Sequence, residues 1–145
     1  MKRTLGMVAA GVLVAAFVVA GQTAATASPR AGALQVTKEC SQYTGAAGSF
    51  CTITSSNIPA IKAGWRVVYT DALGSDGTLD TDVTIGNANG VGNKLFGHVT
   101  LNATTSLISF DGGTGKFREF TGSADVTVTS DGLWHWTGHY SFGSD

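Results

Sequence analysis

Charged residues are scarce, 13% of a 145-residue chain, and the formal net charge is −1. So thin and balanced a charge excludes a disordered polyelectrolyte, and it lacks the basic face that nucleic-acid binding needs. Proline and cysteine each occur twice. Two cysteines are too few for a disulfide-dense miniprotein or a four-cysteine zinc site. A Gly-x-Ser-x-Gly elbow is missing, so α/β-hydrolase chemistry has no support. No Gly-rich run opens a helix, so the glycines do not read as a phosphate loop. Past the N-terminal segment no stretch carries a 3.6-residue period, which argues against helices.

What is present begins with a leader. Lys2 and Arg3 precede a nearly unbroken apolar run from Leu5 to Ala20, and Ala25-Thr26-Ala27 supplies small residues for a signal peptidase. This predicts a signal peptide over residues 1–27 and one exported domain over 28–145, secreted, with no membrane segment left after cleavage. Export permits a disulfide. Cys40 and Cys51 flank a turn holding Gly45 and Gly48, which suits a bridge between neighbouring strands. A reactive or metal-binding thiol pair would need closer spacing or ligands nearby, and neither is visible.

Period-2 alternation dominates the remainder. Strands are predicted over Ala33–Tyr43, Thr52–Ser55, Trp65–Ala72, Thr78–Gly86, Lys94–Asn102, Thr105–Phe110, Ser123–Ser130 and Leu133–Phe142. Turns fall between them at Gly74–Gly77, Asn87–Asn93, Asp111–Gly115 and Asp131-Gly132. About eight short strands joined in order by short turns predict an all-β fold, an eight-stranded antiparallel up-and-down β-barrel. Such a barrel has an interior that side chains just fill, or that holds one small ligand.

Metal chemistry finds no purchase. His135 and His139 lie in a strand pattern, where four residues span about 13 Å, too far for one ion. Asp76, Asp80 and Asp82 lack the glycine and glutamate of a calcium loop, having Thr81 and Asn87 there. Two acids remain. Asp71 continues the face of Trp65, Val67 and Tyr69. It is either a lumen carboxylate, with its pKa raised for acid–base work, or a strand-end residue capping the next turn. Glu39, beside Cys40, is either a second such acid or an exposed strand residue. Trp134, Trp136, Tyr140 and Phe142 share one face and either line a cavity or pack the core.

The motif order then becomes informative. Gly64-Trp65-Arg66-Val67-Val68-Tyr69-Thr70-Asp71-Ala72-Leu73 precedes a Gly turn and a Thr/Asp strand. Phe110-Asp111-Gly112-Gly113-Thr114-Gly115-Lys116-Phe117 follows, with Gly122 beyond, and the chain closes on Tyr140-Ser141-Phe142. This resembles the allene oxide cyclase-like barrel superfamily, which includes the plant dirigent proteins, over roughly residues 33 to 142. The resemblance implies an eight-stranded barrel with an apolar lumen, often a homotrimer. It implies cofactor-free steering of the cyclisation or coupling of a small hydrophobic molecule. Asp71 falls where the plant cyclases carry a cavity asparagine, and Glu39 lies near their first-strand acid. The site expected on this basis is Asp71 and Glu39 as catalytic groups, with Trp65, Val67, Tyr69, Trp134, Trp136 and Tyr140 around the ligand. The competing expectation is a non-catalytic extracellular protein with a filled barrel.

Overall fold

The computed structural model describes residues 30–143. The expected leader, residues 1–27, lies outside them. Eight strands follow one another: β1 (Ala31–Glu39), β2 (Phe50–Ser56), β3 (Arg66–Tyr69), β4 (Leu79–Gly86), β5 (Leu95–Leu101), β6 (Ser106–Gly113), β7 (Thr121–Val128) and β8 (Trp134–Ser141). Each pairs antiparallel with the next, and β1 pairs with β8 to close the barrel. The all-β up-and-down architecture expected from alternation is therefore the fold. The only helical element among the described residues is a single 3-10 turn, Gly115–Phe117.

Alternation builds the core directly. In β4, Leu79, Thr81, Val83 and Ile85 point inward while Asp80 and Asp82 face water. In β1, Leu34, Val36 and Lys38 are the buried positions. A bulge keeps β2 in phase. Its pairing with β1 slips between Thr37 and Lys38. Thr54 and Ser55 consequently both lie outside, with hydroxyls 2.6 and 2.5 Å from Thr37 Oγ1. The extra residue lets Cys51 and Ile53 stay buried.

Strand ends differ from expectation where turn chemistry intervenes. β1 stops at Glu39, because Tyr43 N–H donates to the Cys40 carbonyl (3.1 Å) and turns the chain. β3 is only four residues long. After Thr70 N–H donates to the Asp82 carbonyl (3.0 Å), the chain leaves the ladder. β6 runs on through Asp111–Gly113, expected as turn, and bends only at Thr114.

The two ends of the barrel are unlike. At one, the β6–β7 connection and the C-terminal tail drive aromatic rings inward. Phe117 lies 5.8 Å from Phe120, Phe120 stacks on Tyr140 at 5.7 Å, and Phe142 meets Phe120 at 4.9 Å. Ile58, Ile61 and Trp65 complete this plug. Trp136 and Phe110, 5.7 Å apart, fill the middle. Rings of this size bury about 150–250 Å² each, so the plug carries much of the apolar burial. The other end, the mouth, is formed by the β1–β2, β3–β4, β5–β6 and β7–β8 connections. There the predicted Cys40–Cys51 bridge is present, tying the β1–β2 loop to β2. Closing a loop of 11 residues stabilises by about 2–3 kcal/mol in the chain-entropy account.

Two strand glycines set how tightly the wall closes. Gly97 leaves room for the Phe110 ring; a Cβ there would stand 3.4 Å from Phe110 Cδ1 and 2.8 Å from the Ser109 carbonyl oxygen. Gly138, between Trp136 and Tyr140, is tighter still: a Cβ would come within 1.9 Å of the Ser123 carbonyl oxygen. Gly138→Ala must therefore push β8 off β7 and is expected to cost at least about 3 kcal/mol. Gly132→Ala, at a turn position with φ 84° and nothing within 4 Å, costs only about 1 kcal/mol for its backbone. Urea denaturation of the two variants checks this, and similar losses in both would contradict the close β7–β8 approach.

Candidate functional site

The most unusual side chain in the barrel is one that sequence reasoning passed over. Lys38 follows Leu34 and Val36 at the same phase of β1, so its side chain enters the lumen near the mouth. It is 4% exposed. Its Nζ donates to Tyr69 Oη. The amine also lies over three rings, 5.0 Å from the Tyr69 centroid, 5.1 Å from Trp136 and 5.9 Å from Trp134. No carboxylate pairs with it among the described residues. Electron-rich ring faces offset part of the cost of a desolvated ammonium but not all of it. Burial accordingly lowers the Lys38 pKa from 10.5 to about 7.

Tyr69 comes from β3, where Val67 and Tyr69 are the inward positions. Burial first, and then the neighbouring Tyr43, raise its pKa well above the ordinary phenol value, so it stays a protonated donor. Its Oη lies 3.6 Å from Cys51 Sγ. The Tyr43 ring sits 4.8 Å from the Tyr69 ring. The Tyr43 hydroxyl and Trp136 Nε1 are buried with no hydrogen-bond partner. The mouth thus offers several donors and no carboxylate or amide side chain to receive them.

Beside the amine is a cavity of about 240 Å³. Lys38, Tyr69, Trp134 and Tyr43 line it, together with the disulfide and the apolar side chains of Leu73, Leu79 and Leu101. Leu73 is partly exposed, so the space reaches the surface under the β3–β4 loop. That loop is held against the β1–β2 loop by a hydrogen bond from Leu73 N–H to the Gly45 carbonyl (2.8 Å). A larger hollow of about 540 Å³ lies outside the plugged end among Arg30, Lys116, Arg118 and Glu119. It is a more open surface depression with no buried polar group, and the mouth is the better candidate.

The expected site residues separate. Tyr69 and Trp134 line the cavity, while Trp136 lies deeper, below the amine. Val67 is buried in the wall. Trp65, expected beside the other tryptophans, lies in the plug 6.0 Å from Phe117, and Tyr140 is there too. Asp71 is not in the lumen. β3 ends two residues before it, and its carboxylate is exposed. Its backbone N–H donates to the buried Thr81 Oγ1 (2.8 Å), and one of its carboxylate oxygens accepts from the same hydroxyl (3.4 Å). The physical reason is that the chain has left the β3 ladder before Asp71, so alternation no longer turns the side chain inward and the carboxylate keeps its water. Glu39 also faces out, because Lys38 takes the inward phase. Its Oε2 accepts from Ser41 N–H (2.8 Å), and hydrogen bonds from Ser41 hold it below the usual carboxylate range. His135 and His139 are on the outer face of β8. His98 is clamped outside between Asp82, at 2.8 Å, and Asp80. Among the described residues no group of three or more His, Cys, Asp or Glu gathers to hold a metal, and no helix is long and apolar enough to cross a membrane.

A scan against protein-family models and searches of the curated proteins and of the solved structures return no match. Closed eight-stranded barrels occur in many unrelated families, so the architecture by itself does not identify a superfamily.

Burial of Lys38 has a signed consequence. Its folded pKa lies below its unfolded one, so between about pH 7 and pH 10.5 the unfolded chain holds the extra proton. Stability from this group then rises with pH across that window, and the full cost of the buried charge persists below it. Lys38→Met should stabilise the barrel more at pH 6 than at pH 9, the two gains differing by about 2–3 kcal/mol. His98, its pKa raised by the Asp82 and Asp80 hydrogen bonds, acts in the opposite sense but cancels between the two proteins. Denaturation of both proteins at the two pH values measures the difference, and equal gains would mean that the amine is solvated.

Proposed function

We propose that this is an exported binding barrel for one small, mostly apolar molecule carrying a hydrogen-bond acceptor. The ligand sits in the mouth, with its polar atom toward Lys38 and Tyr69. The single observation that carries this reading is the mostly apolar cavity at the mouth, with the buried lysine at its wall and no carboxylate in its lining. Holding a desolvated amine against several aromatic rings lowers stability, which a purely structural barrel has no reason to tolerate. The volume supports a single-ring compound: a cavity of about 150 Å³ already accommodates benzene, and this one measures about 240 Å³.

The reading retains the lumen ligand implied by the resemblance to allene oxide cyclase-like barrels and moves the polar group from Asp71 to Lys38. Cyclisation or orientation of a bound molecule belongs to the same proposal, with positioning by shape as its mechanism. The predicted leader and the Cys40–Cys51 bridge support export. The packed middle and plugged end favour the competing reading of a filled scaffold for most of the lumen, leaving the mouth as the only place where the two readings differ.

Tryptophan fluorescence distinguishes them. Titration with benzyl alcohol should change the emission of Trp134 with a dissociation constant below about 1 mM. Trp134→Phe should remove most of that response, while Trp65→Phe, at the far end, should keep it. Leu101→Trp, which fills the mouth, should abolish binding. If no single-ring compound binds better than millimolar, the filled scaffold is the correct reading.

A further inference from the structure

We propose that the mouth takes small aromatic aldehydes or ketones and holds them reversibly as an imine on Lys38. This rests on the ligand site proposed above and names its substrate class. Three features of the geometry carry it. A primary amine stands at the wall of a mostly apolar cavity large enough for one ring and a carbonyl group. A phenol that stays protonated is hydrogen-bonded to that amine. A second hydroxyl, that of Tyr43, lines the same cavity and is buried without an acceptor.

The competing ligand is a carboxylate, paired with the ammonium. The lumen argues against it. Among the described residues nothing else lining the cavity is charged, and an ion pair in such surroundings recovers little more than its desolvation cost. An uncharged electrophile brings no charge with it. Burial also leaves about half of the Lys38 side chains as free amine near neutral pH, the form that attacks a carbonyl. Tyr43 and Tyr69 are the titratable groups that face the amine across the cavity. Neither is anionic at that pH, since burial raises both.

The step balances without an oxidant or a cofactor. The Nζ lone pair forms a bond to the carbonyl carbon while the C=O π pair moves to oxygen. That oxygen takes a proton, with Tyr69 O–H placed to supply it and to recover one from the attacking nitrogen. The carbinolamine hydroxyl then takes a proton from Tyr69 and leaves as water while the nitrogen lone pair forms the C=N bond, and the remaining N–H proton returns to the tyrosine oxygen. One amine and one carbonyl become one imine and one water. Tyr69 acts here as a general acid at hydrogen-bond distance from the reacting nitrogen. The apolar wall limits the water that would hydrolyse the product.

Reductive trapping tests this. The purified protein is incubated with benzaldehyde and cyanoborohydride near neutral pH, and its peptides are mapped by mass. Lys38 should gain one benzyl group at least tenfold faster than Lys62, Lys94 or Lys116, and benzyl alcohol should slow its labelling by competition. Lys38→Met should lose the fast label. Tyr69→Phe, which keeps the lysine and most of the packing, should slow it about tenfold with an unchanged circular dichroism spectrum; this holds the test open if Lys38→Met does not fold. Benzyl alcohol binding accompanied by labelling spread evenly over the surface lysines would overturn the imine while leaving the binding site standing. Benzoate binding at least tenfold tighter than benzaldehyde, with no adduct, would overturn it in favour of an anion pocket. Absence of binding by all three compounds would remove the proposed site and the imine together.

Discussion

An amine buried with no counter-ion among the described residues is the constraint on which the mouth of this barrel depends. Desolvating such a group costs several kcal/mol, and the usual remedy, a carboxylate beside it, is missing. The side chain is instead accommodated by three aromatic faces and one phenolic hydroxyl, and its proton is held loosely. The interaction is local, yet it reaches into the fold. Lys38 pairs across the wall with Trp134 and with Ile53. The β2 bulge next to it fixes which residues of that strand face the lumen. The disulfide and Tyr43 lie over the same space.

The opposite end stabilises what the mouth does not. The Gly112–Gly115 segment carries the chain from β6 into the 3-10 turn, and Phe117, Phe120 and Phe142 follow it into the lumen. A Cβ at Gly113 would meet the Lys94 carbonyl oxygen at 2.1 Å, so the close crossing of β5 there requires a residue without one. The Phe110–Phe117 motif is thus part of what seals one end. It contributes nothing to the mouth, whose polar groups come from β1, β3 and the β1–β2 loop.

Alternation made most of the barrel legible in the sequence. The order of strands, the inward faces of Val67 and Tyr69 and of Trp134, Trp136 and Tyr140, and the cysteine bridge all follow from period-2 patterning and spacing. Asp71 shows where the same logic fails. Its phase is right, but phase has meaning only while the strand continues, and β3 ends at Tyr69. Trp65 shares a face with Tyr69 but not an end of the barrel; alternation ranks faces, not depth. Lys38 is the opposite case. Leu34, Val36 and Lys38 are in phase, but a charge at the third position reads as a solvent-facing residue, and the acid Glu39 beside it has the more familiar chemistry. A charged residue that continues an inward apolar series is the signal that finds such a site.

Everything proposed for the mouth requires a Lys38 amine that is desolvated and half-deprotonated near neutral pH. The most direct measurement is a nuclear magnetic resonance titration of the Lys38 side chain, following its ε-carbon shift in the folded protein. The predicted midpoint lies near pH 7, the value to which burial lowers this amine. A midpoint near the ordinary lysine value of about 10.4 would show that water reaches the amine, and would contradict a desolvated mouth.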